Sequence, residues 1–233
     1  MKKMMFLLTM VLLVVGGASA SYAAASIYGM SGLIETPNDV YLAPMQLGLT
    51  VNYVADVDDG NLFTFGGAFG VTPDLEVSAV GADSSRNDAD MQGLFNAKWR
   101  VLRETADRPA ISIGIVDVAN GLDEVNPRDD SPSGFLMLSK NLTSTGLTIS
   151  GNRPLIGTLG FGTGLYKGAF IGLEYLPTPR VELMFEYLTN GIKQDTTFNG
   201  GIRYYMAPQF SVMAGALDFQ SFFAGVDYRL PAF

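Results

Sequence analysis

Met45-Gln46-Leu47-Gly48-Leu49-Thr50-Val51-Asn52-Tyr53 carries an apolar residue at every odd position and a polar or small one at every even position. A period of two belongs to a strand with one greasy and one polar face, because successive side chains of a strand point to opposite sides. Phe63, Phe65 and Phe69 continue the pattern against Thr64, Gly66, Ala68 and Gly70. Further runs at 75–82, 91–102, 110–118, 134–142, 146–162, 169–176, 181–189, 197–206, 209–217 and 221–230 bring the total to about twelve strands. Most are close to the ~9 to 11 residues of a tilted membrane-crossing strand.

Composition narrows what such strands can do. Of 233 residues only 16% are charged, well below the roughly 25% of soluble globular chains. There is no cysteine, which excludes disulfides, thiolate metal sites and thiol nucleophiles, and no histidine, which removes the usual base near neutral pH and the Ser-His and zinc-His constellations. The formal charge of −8 offers no electrostatic footprint for nucleic acid. A non-enzymatic protein without cofactor or metal is expected.

Lys2 and Lys3 precede the apolar run 4–15, and the small-residue stretch 16–25 follows. That order is a secretory signal peptide, with cleavage expected after Ala20, Ala23 or Ala25. The apolar run falls short of the ~20 residues a membrane helix needs. Without Lys2 and Lys3 the chain has 13 basic and 23 acidic residues, a net charge of −10. The expected organisation is a signal peptide over 1–25, a periplasmic lead-in over 26–44 and a barrel over 45–233.

The connections between strands alternate in character. One set is mostly compact and often marked by proline: 71–74, 141–145, 177–180 and 206–209, with 103–109 as a long exception. The other set comprises 56–61, 83–90, 119–133, 164–168, 190–196 and 217–220. Short periplasmic turns opposite longer outside loops describe an outer-membrane barrel, and the assignment puts both barrel ends on the periplasmic side. Aromatic residues fall into two belts. Trp99, Tyr175, Tyr204 and Tyr228 lie near the periplasmic strand ends, with Tyr53, Phe63, Tyr187, Phe198 and Phe222 near the opposite ends. A soluble β-sandwich also uses short alternating strands, but it has no need of belts or of two unlike rims. The expectation is an all-β, antiparallel, up-and-down transmembrane barrel, exported to the bacterial outer membrane and surrounded by its lipid.

The polar faces carry the charges. Lys98, Arg100, Glu174, Glu182, Glu186 and Arg203 share the inward parity, as do Asp117 and Asp227. On the lipid side a Lys or Arg near the midplane costs about 2 to 4 kcal/mol, so these groups are expected to line the lumen. They serve either as a charged constriction that selects permeants or as an internal salt-bridge network that fills a narrow interior.

Several motifs have simpler readings. Gly160-Phe161-Gly162-Thr163-Gly164 looks like a phosphate loop but is followed by a strand, so its glycines are expected to pack inside the barrel. Asp56, Asp58, Asp59 and Gly60 begin like a calcium loop, yet the twelfth position is Gly67. Asp123, Glu124, Asp129 and Asp130 read as a solvated acidic loop. Asn141-Leu142-Thr143 fits a glycosylation tripeptide but sits in a periplasmic turn. Glu182 and Glu186, about 13 Å apart by strand rise, are too far separated for paired acid–base work on sugars.

Gly32-Leu33-Ile34-Glu35-Thr36-Pro37 resembles the opening motif of YjbH-type outer-membrane proteins, and Gly168–Tyr175 with Val181–Tyr187 resembles that family's paired strands. The resemblance implies an outer-membrane β-barrel that assists secretion or assembly of extracellular polysaccharide, with polysaccharide or periplasmic export components as partners. Phe233 resembles the aromatic C-terminal signal of such proteins, although Pro231 interrupts the alternation before it. The segment carrying Gly32 to Pro37 is read first as an extended lead-in and second as a plug. Alternatives to the export role are a small porin-like diffusion channel and a closed structural or adhesive barrel.

Overall fold

The computed structural model describes residues 23–57, 60–85, 91–122, 132–145, 154–193 and 196–232. Twelve strands form: Leu47–Val57 (β1), Gly60–Thr72 (β2), Leu75–Ser84 (β3), Gln92–Leu102 (β4), Ala110–Val116 (β5) and Ser133–Asn141 (β6), then Leu155–Gly162 (β7), Gly168–Thr178 (β8), Val181–Leu188 (β9), Thr197–Ala207 (β10), Phe210–Leu217 (β11) and Ser221–Arg229 (β12). Each pairs antiparallel with the next, and β1 closes on β12 through pairs such as Val51 with Val226. No helix among the described residues is long and apolar enough to cross a membrane.

Exposure follows the period of two. Leu49 and Phe65 are 44% and 39% exposed, whereas Thr50 and Thr64 are 2% and 1% exposed. The greasy face therefore points outward around one closed sheet, with no second layer against it. This is the arrangement a bilayer selects and a sandwich forbids. Trp99, Tyr204 and Tyr228 are exposed towards one rim, and Tyr53, Phe198 and Phe222 towards the other.

Some strand ends differ from the sequence pattern for local reasons. β5 stops at Val116 because Asp117 adopts φ of 57° and its carboxylate accepts from the amides of Gly121 (2.7 Å) and Leu122 (2.8 Å). β6 stops at Asn141, where a 3-10 turn over Leu142–Thr145 begins. The strand expected from 146 starts at Leu155, and 146–153 lie outside the described residues. So do residues 1–22 of the expected signal peptide and the whole of the 123–130 acidic loop. Gly160 packs within the wall as expected: a Cβ there would lie 2.1 Å from the Phe170 ring.

The largest departure concerns 26–44. Rather than leading up to the barrel from outside, residues 23–42 run inside it, with Ile27, Tyr28, Leu33, Ile34, Glu35 and Thr36 all fully buried. Twelve strands enclose more space than wall side chains such as Val80, Leu94, Met137, Phe170 and Met184 fill, and the apolar residues of this segment pack among them. Gly29, at φ of 85°, passes so near Val80 that any Cβ would clash with it. Ala23 and Leu42 pack together with Ala68 near the rim of Pro-marked turns, so both ends of the segment sit at that rim.

Candidate functional site: the lumen and its internal segment

A segment folded with only two isolated bridges of its own, Ala25 with Ser31 and Gly32 with Pro37, leaves most of its amides and carbonyls without ladder partners. Buried backbone groups must be paired. Five bonds join backbone groups of the segment itself, such as the Ile27 amide to the Ile34 carbonyl (2.9 Å), and side chains of the barrel wall, chiefly charged ones, supply most of the other partners.

The cations hold carbonyls. Lys98, on β4, donates from Nζ to the carbonyls of Ser31 (2.8 Å), Asn38 (2.9 Å) and Val40 (2.9 Å). Arg203, on β10, donates from Nη2 to those of Ala25 (3.1 Å), Gly32 (3.1 Å) and Leu33 (2.9 Å), while its Nη1 pairs with Glu182 at 3.1 Å. Arg100, nearer the rim, donates to the Asp39 carboxylate (2.8 Å) and carbonyl (2.6 Å). Tyr41 lies between two of these cations, its ring 4.2 Å from Lys98 Nζ and 4.3 Å from Arg100 Cζ.

The acids hold amides. Glu186, on β9, accepts from the backbone of Ile34 (2.9 Å), Glu35 (3.1 Å) and Thr36 (2.9 Å), from the Thr36 hydroxyl (2.7 Å) and from Asn199 Nδ2 (3.1 Å). Glu76, on β3, accepts from the amide and hydroxyl of Ser31 and from the Leu42 amide. Asp227, on β12, accepts from the Ala25 amide. Glu174 accepts from Asn38 Nδ2 at 3.2 Å. The segment contributes one acid of its own to the outer half: Glu35 accepts from Tyr28, from Asn199 and from the Ile192 amide. Charge-assisted bonds of this kind contribute roughly 1.5 to 3 kcal/mol each.

All six residues assigned to the lumen from sequence therefore face inward, and each touches the internal segment or a side chain that does. The expected wall-to-wall salt-bridge network is largely replaced. Among the described residues Arg203–Glu182 is a fully buried ion pair; Lys98, Glu76, Glu186 and Asp227 turn to the backbone of the segment, whereas Glu174 meets the Asn38 side chain and Asp117 the amides of Gly121 and Leu122. Sequence reasoning missed Glu76 and Asn199, although Glu76 shows the same signal as the rest, a charge within an alternating strand. Glu182 and Glu186 are held by different partners, which agrees with reading them as separate groups. Between segment and wall a gap of about 10 Å³ remains beside Ala25, Gly29, Ser31 and Asp227, room for a single water.

At the rim the grip ends in a latch. Asp74, in the turn between β2 and β3, accepts from Arg100 Nη1 (3.2 Å) and from Nε (2.8 Å) and Nη2 (2.6 Å) of Arg103. Hydrogen bonds from Arg103, joined by the charges of Arg103 and Arg100 and opposed by desolvation, hold its carboxyl below the usual carboxylate range. A depressed folded-state value contributes stability that is present above the unfolded value of about 4 and is lost as the pH falls through the folded one. Acidification below about pH 4 should therefore loosen residues 39–42. Amide exchange, corrected for its intrinsic pH dependence, should show that loss in the native chain, whereas Asp74→Asn should already be loose at pH 6 and lack this additional step.

No family model and no curated protein matches the chain. Solved structures similar to it include a "KdgM porin", 14% identical with a TM-score of 0.54, covering 78% of this chain and 98% of that one. A "KdgM porin in complex with disordered oligogalacturonate" is 12% identical with a TM-score of 0.50, covering 80% of this chain and 98% of that one. The Acinetobacter baumannii outer membrane protein Omp33 is 10% identical with a TM-score of 0.40, covering 79% and 96%. At these identities the likeness is one of fold, that of outer-membrane porin barrels.

Proposed function

We propose that the chain is a non-enzymatic outer-membrane barrel of the porin type, exported by an N-terminal signal peptide cleaved after Ala20 and closed at rest by its own residues 23–42, which must move for a polar solute to pass. The observation that supports this reading is the nature of the grip. Alongside the apolar contacts, wall charges bind the segment through its backbone, so water can take over every one of these polar bonds when the segment leaves. A purely apolar core would offer no such exchange. The resemblance to YjbH-type proteins adds polysaccharide as a cargo and periplasmic export components as partners. Its motif, Gly32 to Pro37, forms the turn of the internal segment that Glu186 and Arg203 hold.

Planar-bilayer recording tests the proposal. The full chain should show rare, brief openings, and a chain lacking residues 26–40 should conduct steadily. Gly172 faces the segment, where an added Cβ would lie 3.3 Å from Thr36 Oγ1. The double variant Thr36→Cys, Gly172→Cys should therefore form a disulfide in this cysteine-free chain. Oxidised, it should abolish openings, and reduction should restore them. A folded deletion variant that stays silent, or an oxidised double variant that opens as often as the native chain, would overturn the proposal.

A further inference from the structure

We infer that the barrel, once its internal segment is displaced, passes cations and neutral solutes in preference to anions; this deepens the closed-porin reading and rests on it. Among the described residues the inner wall carries six buried acids, Glu76, Asp117, Glu174, Glu182, Glu186 and Asp227. Against them stand four inward bases, Lys98, Arg100, Arg203 and Arg229. The excess is acidic, and its placement sharpens it.

All four bases lie in the half of the barrel nearer the Pro-marked turns. There Glu182 faces Arg203 and Glu76 faces Lys98 across neighbouring strands, so this half is close to balanced. The opposite half holds Glu186 and Asp117 with no buried base among the described wall residues, and Lys193, at its rim, donates to Ser221 Oγ at 3.2 Å. Among the described residues of the connections at that rim, Asp56, Asp83 and Asp218 stand against Lys167 and Lys193. A solute approaching from that side meets negative potential first, and the low-dielectric wall concentrates it.

Departure of the segment strengthens the effect at Glu186. In the closed barrel this carboxylate is met by three backbone amides and the Thr36 hydroxyl. After displacement only Asn199 remains among those partners, and the charge faces the lumen. The segment also removes Glu35 and Asp39, which contribute nothing to the emptied wall. The chemistry that fits the emptied barrel is a cationic or uncharged polyhydroxyl solute. A polyanion such as oligogalacturonate, present with one porin of similar fold, does not fit it.

The 26–40 deletion variant in a planar bilayer under a tenfold KCl gradient supplies the test, alongside the full chain carrying Tyr28→Ala and Leu33→Ala, which loosens the segment and leaves every wall charge in place. Both should show reversal potentials of the sign for K⁺ over Cl⁻, with a permeability ratio of about three or more. Adding Glu186→Gln to either should bring the ratio towards one, and oligogalacturonate should not block the current. A ratio at or below one in conducting protein, or block by oligogalacturonate, would overturn the cation preference and leave the closed-porin reading standing. Silence of both folded variants would overturn both.

Discussion

Replacing Arg203 by methionine should unseat residues 25–33 while the barrel stays folded. The guanidinium holds three carbonyls of the internal segment and balances Glu182, and it is fully buried. Methionine fills much of the same volume but donates nothing. The carbonyls of Ala25, Gly32 and Leu33 each lose this donor, and Glu182 retains the Tyr205 hydroxyl without a balancing charge. Removing one partner of a buried pair costs about 3 to 5 kcal/mol. That cost falls on the seated state, because displacement admits water to Glu182 and to the freed carbonyls. Chymotrypsin reads the outcome, since Tyr28 is fully buried in the closed barrel. The native chain should resist cleavage there, and Arg203→Met should be cut after Tyr28 at least a hundredfold faster, with heat-modifiable gel migration unchanged. Arg203→Lys keeps the charge but loses the planar fork, and should fall between the two. Resistance to chymotrypsin equal to that of the native chain would show that the wall does not hold the segment through this residue.

The contrast between wall and segment explains how much was legible from sequence. A bilayer tolerates no charge on one face of each strand, so the period of two is imposed residue by residue, as in Leu47 to Tyr53. The twelve strands, their outward faces and the inward direction of Lys98, Arg100, Glu174, Glu182, Glu186 and Arg203 all follow from that one constraint. Residues 23–42 obey no such rule. Their partners are mostly side chains binding backbone atoms, and a backbone amide looks the same at every position of a sequence. Ile34, Glu35 and Thr36 donate to Glu186 whatever their side chains are.

Even so, the wall gave an indirect sign. In the observed register Glu182 meets Arg203 and Glu76 meets Lys98, but Glu186 lies opposite Asn199 and Gly172. A buried carboxylate with no base across from it must find donors elsewhere, and a glycine beside it clears the room. Leu33 and Thr36 occupy the space over Gly172. Before the register is known, the same residues look as though they serve a salt-bridge network, since acids and bases of the same parity are all that a one-dimensional pattern shows.

The outward face allows the second large effect, because there a charge has nowhere to go. Phe185 lies near the middle of β9, is 55% exposed, and neighbours Leu173 and Gly200 on the adjoining strands. Phe185→Arg places a guanidinium near the bilayer midplane at a cost of about 2 to 4 kcal/mol. Phe185→Leu keeps the face apolar and should be nearly neutral. Folding from urea into phosphatidylcholine vesicles, followed by the heat-modifiable gel shift, should show the arginine variant with a urea midpoint well below that of the native chain and the leucine variant close to it. The pair separates lipid exposure from packing. If Phe185 were pressed against protein, loss of ring volume would penalise leucine as well, since truncating buried aromatic side chains costs several kcal/mol. If it faced water, arginine would be harmless. Only a hydrocarbon surrounding rejects the charge and accepts the smaller apolar side chain, so equal midpoints for the arginine and native chains would remove the membrane from the account of this barrel.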